Sequence, residues 1–149
     1  MNLAEILSDL YERDLDKLAG EIEAFGNEND LWIASGAVSN SAGNLCLHMC
    51  GNLLHFIGAT LGESGYIRDR DLEFARKAVP REELLAEIAA TRDVVARTLA
   101  GLAAEKLNEN YPIEVFGHPM TTGWFLTHLA THLNYHLGQI NYHRRLLAS

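Results

Sequence analysis

Two long stretches of the chain contain no Asp, Glu, Lys or Arg: residues 31–62 and residues 115–143. All the ionic residues lie in the remainder of the 149, while all seven histidines lie inside these two stretches. Prolines number only three, which leaves room for long helices. Cysteines number only two, Cys46 and Cys50. Four apart on a helix they share a face, but a disulfide between them would be strained. They read as free thiols in a reducing compartment, most simply the cytoplasm. No dense basic run occurs, and 12 Lys plus Arg against 20 Asp plus Glu leave a net charge of -8. Such a chain has no general pull toward phosphate backbones or anionic membrane surfaces. The opening residues, MNLAEILSDLYERDL, lack a basic n-region and carry acids early, so no signal peptide is expected.

What is present is an ordinary globular balance, 48% hydrophobic and 21% charged. At this length one domain over residues 1–149 is expected, with a core large enough to need no staples. Helical periodicity marks four segments. The first covers residues 2–25, with Leu3, Ile6, Leu7, Leu10, Leu18, Ile22 and Phe25 on one stripe. The second starts at Asn40 or Ser41, both good N-caps, and runs to Leu61. The third follows Pro80, with Glu82 and Glu83 in its first turn. The fourth runs from Thr121 or Thr122 to Leu147 and carries Arg144 and Arg145 near its end. Residues 63–79 and 104–120 are long, charged connections, and YPIEVFGHP in the latter reads as a short extended piece. The fold class expected is all-α, a four-helix bundle with long crossover connections.

A helix without a charged face is buried on most sides. The second and fourth helices should therefore pack at the centre of the molecule or at a subunit interface. A membrane span is excluded by Asn44, His48, Asn52 and His55 in one and by five histidines and two asparagines in the other stretch. On a helical wheel Cys46 and Cys50 fall mid-way across the apolar arc and read as core thiols. The opposite stripe holds Asn44, His48, Asn52 and His55, with Gly51 and Ala59. In the fourth helix His128, His132 and His136 repeat at intervals of four, so consecutive rings are neighbours.

A metal centre with an open position needs about three protein ligands. The His132–His136 pair supplies two from one helix, and His48 supplies a third from a facing one. Neutral imidazoles suit Zn, Ni, Cu or Fe better than Mg or Ca. The residues between His132 and His136 are Leu, Asn and Tyr, so the glutamate of an HExxH protease is missing. The competing reading makes the histidines hydrogen-bonding core groups, and His55, His118 and His143 individually read that way. Trp124, Tyr135 and Tyr142 form another side of the fourth helix, read as core or dimer contact, with a substrate wall as the sharper alternative. Arg68 and Arg70 sit in a charge run that reads as solvated; the sharper alternative gives them an anionic substrate group.

HLATHLNYHLGQINYHRRLL, residues 128–147, resembles the last-helix signature of the DinB/YfiT-like metalloenzymes, in which HxxxHxGQ here falls on His132, His136, Gly138 and Gln139. SNSAGNLCLHMCGNLLHFIG, residues 39–58, resembles the second-helix motif of a DinB-like subgroup and places its histidine at His48. YIRDRDLEFARK, residues 66–77, resembles the connection that follows in that subgroup. The resemblance covers nearly the whole chain. It implies a four-helix bundle with a crossover, a homodimer, and a divalent metal, nickel or zinc, held by His48, His132 and His136. Characterised relatives use low-molecular-weight thiols, among them bacillithiol transferases and mycothiol-dependent isomerases. The function expected is thus a metal-dependent hydrolase or low-molecular-weight-thiol S-transferase acting on a small electrophile. Asn52, His55 and His128 are candidate supporting groups around the ion. The alternatives are a non-catalytic metal or small-molecule binder and a structural dimeric helical module.

Overall fold

The computed structural model describes residues 1–148, and it is all-helical. Helix α1 spans Leu3–Ala24. It opens on a reciprocal cap: the Asn2 side chain accepts from the Glu5 amide at 3.0 Å and Glu5 accepts from the Asn2 amide at 2.8 Å. Leu7, Leu15, Leu18 and Ile22 bury its apolar stripe. A single 3₁₀ turn, Glu28–Trp32, follows.

Helix α2 spans Ala42–Leu53 and continues into a π-helical turn over Leu54–Ala59. Its cap is Ser41, whose hydroxyl accepts from the Asn44 amide at 3.2 Å. All twelve residues of α2 are buried, as its lack of charge required. The turn at its end departs from the plain helix expected to Leu61. Widened hydrogen bonds, such as Thr60 N–H to the His55 carbonyl at 3.1 Å, re-aim the residues beyond Leu53.

A short helix, α3, spans Arg70–Ala75 inside the connection read as an irregular charged stretch. Asp69 caps it, accepting from the Leu72 amide at 3.2 Å. Helix α4 spans Arg81–Ala100 with Pro80 at its cap, one residue earlier than the first-turn position expected. Residues 101–121 hold a 3₁₀ turn, Ala104–Asn108, and one antiparallel bridge between Asn110 and Thr121. The bridge flanks residues 111–119, the piece expected to be extended, which forms bends instead, and the described residues contain no strand. Helix α5 spans Thr122–Leu147, capped by the Thr121 hydroxyl, which accepts from the Trp124 amide at 3.1 Å.

Helices α1 and α2 each pack along α4 and α5, and α3 lies across α2. Successive long helices α1 and α2 are therefore not close neighbours, which is why the connections must cross over. Cys46 and Cys50 are buried free thiols in the core. One side of α5 is not core in the single chain: Trp124, Tyr135 and Tyr142 are each more than half exposed. Up to residue 143 its outer face carries neutral polar and aromatic groups, and the exposed Arg145 follows in the last turn. Among the described residues no helix is long and apolar enough to cross a membrane.

Candidate metal centre

The site grows from the seam between α2 and α5. Asn44, one turn before His48, donates from its side-chain amide to the carbonyls of Glu73 (3.0 Å) and Arg76 (2.8 Å). These bonds dock α3 on α2 and bring Glu73 to His48, with Oε1 at 3.0 Å from Nδ1. Burial pushes the Glu73 carboxyl pKa up, but hydrogen bonds from His48 and Arg68 outweigh it and hold the group below its usual range. An ionised carboxylate only accepts, so His48 Nδ1 donates and the lone pair resides on Nε2.

Arg68 grips the same carboxylate with two arms, Nε to Oε2 at 2.8 Å and Nη2 to Oε1 at 3.0 Å. Its guanidinium lies over the Phe56 ring, 5.7 Å from the centroid. The Arg68 and Glu73 side chains are only 11% and 6% exposed. The solvated-run reading is thereby overturned at Arg68. Arg70, exposed and over the Phe74 ring at 5.3 Å, takes no part in this clasp.

From α5 come His132 and His136, each half-buried. Their ring centroids are 4.5 Å apart, and they lie 5.2 and 5.5 Å from that of His48. One nitrogen from each of the three rings lies within 4.8 Å of the other two. A tetrahedral ion with bonds of about 2.0–2.1 Å sets its ligand nitrogens roughly 3.3–3.4 Å apart, so small side-chain shifts close this set. His136 Nδ1 donates to Gln139 Oε1 at 2.7 Å, which leaves its Nε2 free to coordinate, 3.0 Å from His132 Nε2.

Burial, followed by the charges of His136, His48, His128 and Arg68, lowers the His132 pKa to about 4. Burial and then His48 lower that of His136, against an opposing contribution from Gln139. Both rings are therefore neutral near pH 7, the state a metal requires. The donor set fits a borderline transition ion: imidazole nitrogens only, two of them oriented by acceptors on their far edges.

The remaining candidates take other places. Asn52 is buried on α2 one turn beyond His48. His55 falls in the π-helical turn against Phe56, and its pKa is lowered by burial and by Arg68, with Glu73 opposing. His128 stacks on Trp124 at 5.5 Å and packs edge-on to Phe116 at 5.1 Å, apart from the three converging nitrogens. His143 donates from Nε2 to the Ile33 carbonyl at 2.9 Å, a structural tie. His118 is exposed and reaches only the Pro119 carbonyl.

Sequence reasoning missed Glu73. A signal for it was Gly51, on the His48-bearing turn. A Cβ there would sit 1.9 Å from Glu73 Oε2, so the glycine permits the carboxylate's approach. Beside the triad, a groove of about 770 Å³ runs between residues 37–42 and α5, lined by Val38, Asn40, Leu45, Tyr135, His136 and Tyr142.

No curated protein matches this chain. The DinB superfamily profile matches residues 10–140, a span that contains the three converging histidines, Arg68 and Glu73. With most of its length matched, the chain belongs to the DinB superfamily.

Proposed function

We propose that the protein holds one divalent transition ion, nickel or zinc, through His48, His132 and His136, and uses it on a small electrophile. The observation that carries this is the convergence of three histidine nitrogens within 4.8 Å of one another, brought together from two helices far apart in sequence. When bound, the ion supplies Lewis acidity, which acidifies a thiol or water and polarises an electrophile. The protein's own part is to hold three imidazole donors, to orient His48 through Glu73, and to seat the substrate. The groove at His136 has the size of a small-molecule site, and its Tyr135, Tyr142, Val38 and Leu45 walls suit a partly apolar substrate.

Between hydrolysis and thiol transfer, one observation favours the second. Both oxygens of the carboxylate at the triad, Glu73, are engaged by His48 and Arg68. It is not free as a general base, so the nucleophile must lose its proton to the ion's effect alone, and a thiol starts out far more acidic than water. We read the architecture as a four-helix bundle of α1, α2, α4 and α5 with crossover connections. A cytoplasmic homodimer completes the proposal, the uncharged outer face of α5 up to residue 143 being the surface a second copy would cover.

Elemental analysis of the purified, untagged protein and of His48→Ala, His132→Ala and His136→Ala tests the site. About one ion per chain, lost in each variant, is the expected result. No ion after incubation with zinc and with nickel overturns the reading. With the ion in place, thiol consumption in the presence of small electrophiles separates a transferase from a binder without turnover.

A further inference from the structure

A histidine that ligates a metal and donates its other N–H to a carboxylate passes part of the carboxylate's negative charge to the ion. The ring becomes more basic and the ion less attractive to an anion. In this protein a guanidinium sits directly on that carboxylate. Arg68 binds both oxygens of Glu73, in the bidentate geometry that only arginine offers, and the pair is almost shut off from water. Little solvent remains to screen the two charges, so their cancellation is local.

Arg68 reaches His48 itself only at the limit of hydrogen-bond range, and Glu73 holds the same nitrogen more closely, at 3.0 Å. The Arg68 Nη2 lies 3.5 Å from Nδ1, where a donor faces a donor. The strongest link of Arg68 to the ring therefore runs through Glu73, which both of them bind. The side chain is held in place from outside the triad as well, by the Phe56 ring beneath it and by the α3 cap that aims Glu73.

We infer that Arg68 is a positioning residue for the metal centre: it clamps Glu73 on the Nδ1 edge of His48 and cancels that carboxylate's charge, so the ion keeps its full charge for an anionic ligand. This rests on the metal-centre reading above and adds to it a ligand class. The ligand bound at the open position is an anion, and its affinity is set by a residue that touches neither ion nor ligand.

The test uses the full chain loaded with cobalt(II), azide as the probe anion, and visible absorption as the readout. Long-range ¹H–¹⁵N NMR of the metal-free protein reads the His48 tautomer. The wild type is expected to carry its proton on Nδ1. Arg68→Met keeps the stem packed on Phe56 but leaves the Glu73 charge uncompensated. Its metal affinity is expected to stay within about threefold while azide affinity falls about tenfold. Arg68→Lys, which restores the charge, should recover most of the azide affinity. Glu73→Gln keeps an acceptor for Nδ1 but loses the charge, and metal affinity should fall about 10–100-fold.

A purely structural role for Arg68 predicts instead that metal affinity, azide affinity and thermal stability fall together, with no rescue by lysine, and that result overturns the inference. So does a His48 proton on Nε2 in the wild type, or equal azide affinity in wild type and Arg68→Met. A wild type that takes up no ion overturns the metal reading and this one with it; an ion-binding wild type with an indifferent Arg68→Met overturns this one alone.

Discussion

The two flanks of α5 carry similar side chains and treat them differently. Toward α1, its polar groups are satisfied within the chain. The Leu126 carbonyl accepts from the Tyr11 hydroxyl, Asn134 donates to Asp14 at 3.0 Å, and Asn141 and Arg144 both donate to Glu21, at 2.6 and 2.7 Å. Toward α2, His132 and His136 point their nitrogens at each other and at His48. One flank is a finished seam, and the other gathers donors at a point. The lesson is mechanical: the α1 seam fixes the register of α5, and a fixed register lets the opposite flank hold His132 and His136 against His48 on α2.

Breaking the finished seam should cost most. Leu18 is fully buried on α1, and Leu18→Ala is expected to lower unfolding stability by about 2–5 kcal/mol in urea titration. Metal affinity should weaken with it, because the seam sets the register of His132 and His136; an unchanged affinity would uncouple the two flanks. Next comes the ion itself. At 100 times its dissociation constant it should add about 2.7 kcal/mol, a Tm rise of roughly 5–10 °C. His132→Ala should abolish that rise and leave the metal-free Tm within a few degrees of the wild type. A large fall in the metal-free Tm would mean that the α2 flank is a structural seam too.

Smaller effects refine the contrast. Tyr11→Phe removes one buried hydrogen bond from the α1 flank, and calorimetry should register a loss of about 1 kcal/mol with metal affinity unaltered. Arg92→Ala removes the partly exposed pairing with Glu12 and Asp16 on the α1–α4 side. Solvent screens such pairs, so its cost should stay below about 1 kcal/mol and its effect on the centre should be nil.

Much of this was legible in the sequence, and the limits are instructive. The helix starts near Ser41, Pro80 and Thr121 could be read to within a residue because the chemistry of helix ends is local, and the first start came from the apolar stripe. The burial of α2 followed from its missing charges. His132 and His136 were paired by spacing alone, since four residues is one turn. His48 needed more: on spacing it was one of several polar residues on α2, chosen as an imidazole on a facing helix, and the motif around it agreed. Glu73 and Arg68 were illegible because their role depends on where a connection docks. A charge run in a linker carries no periodicity that says which of its members is buried. The outer face of α5 misled in the other direction, because absence of charge does not distinguish a buried helix from one dressed in Asn, Gln, Thr and Tyr.

The wide separation of the triad along the chain has a consequence for biosynthesis. His48 and its carboxylate partner are translated well before His132 and His136, with α4 in between. A nascent chain that has reached only α4 holds one imidazole, which is no chelate, and cannot retain an ion against cellular competitors. Capture becomes possible only when α5 has left the ribosome and docked against α1. On the proposed reading, an ion would be acquired after folding, from whatever pool the finished chain meets.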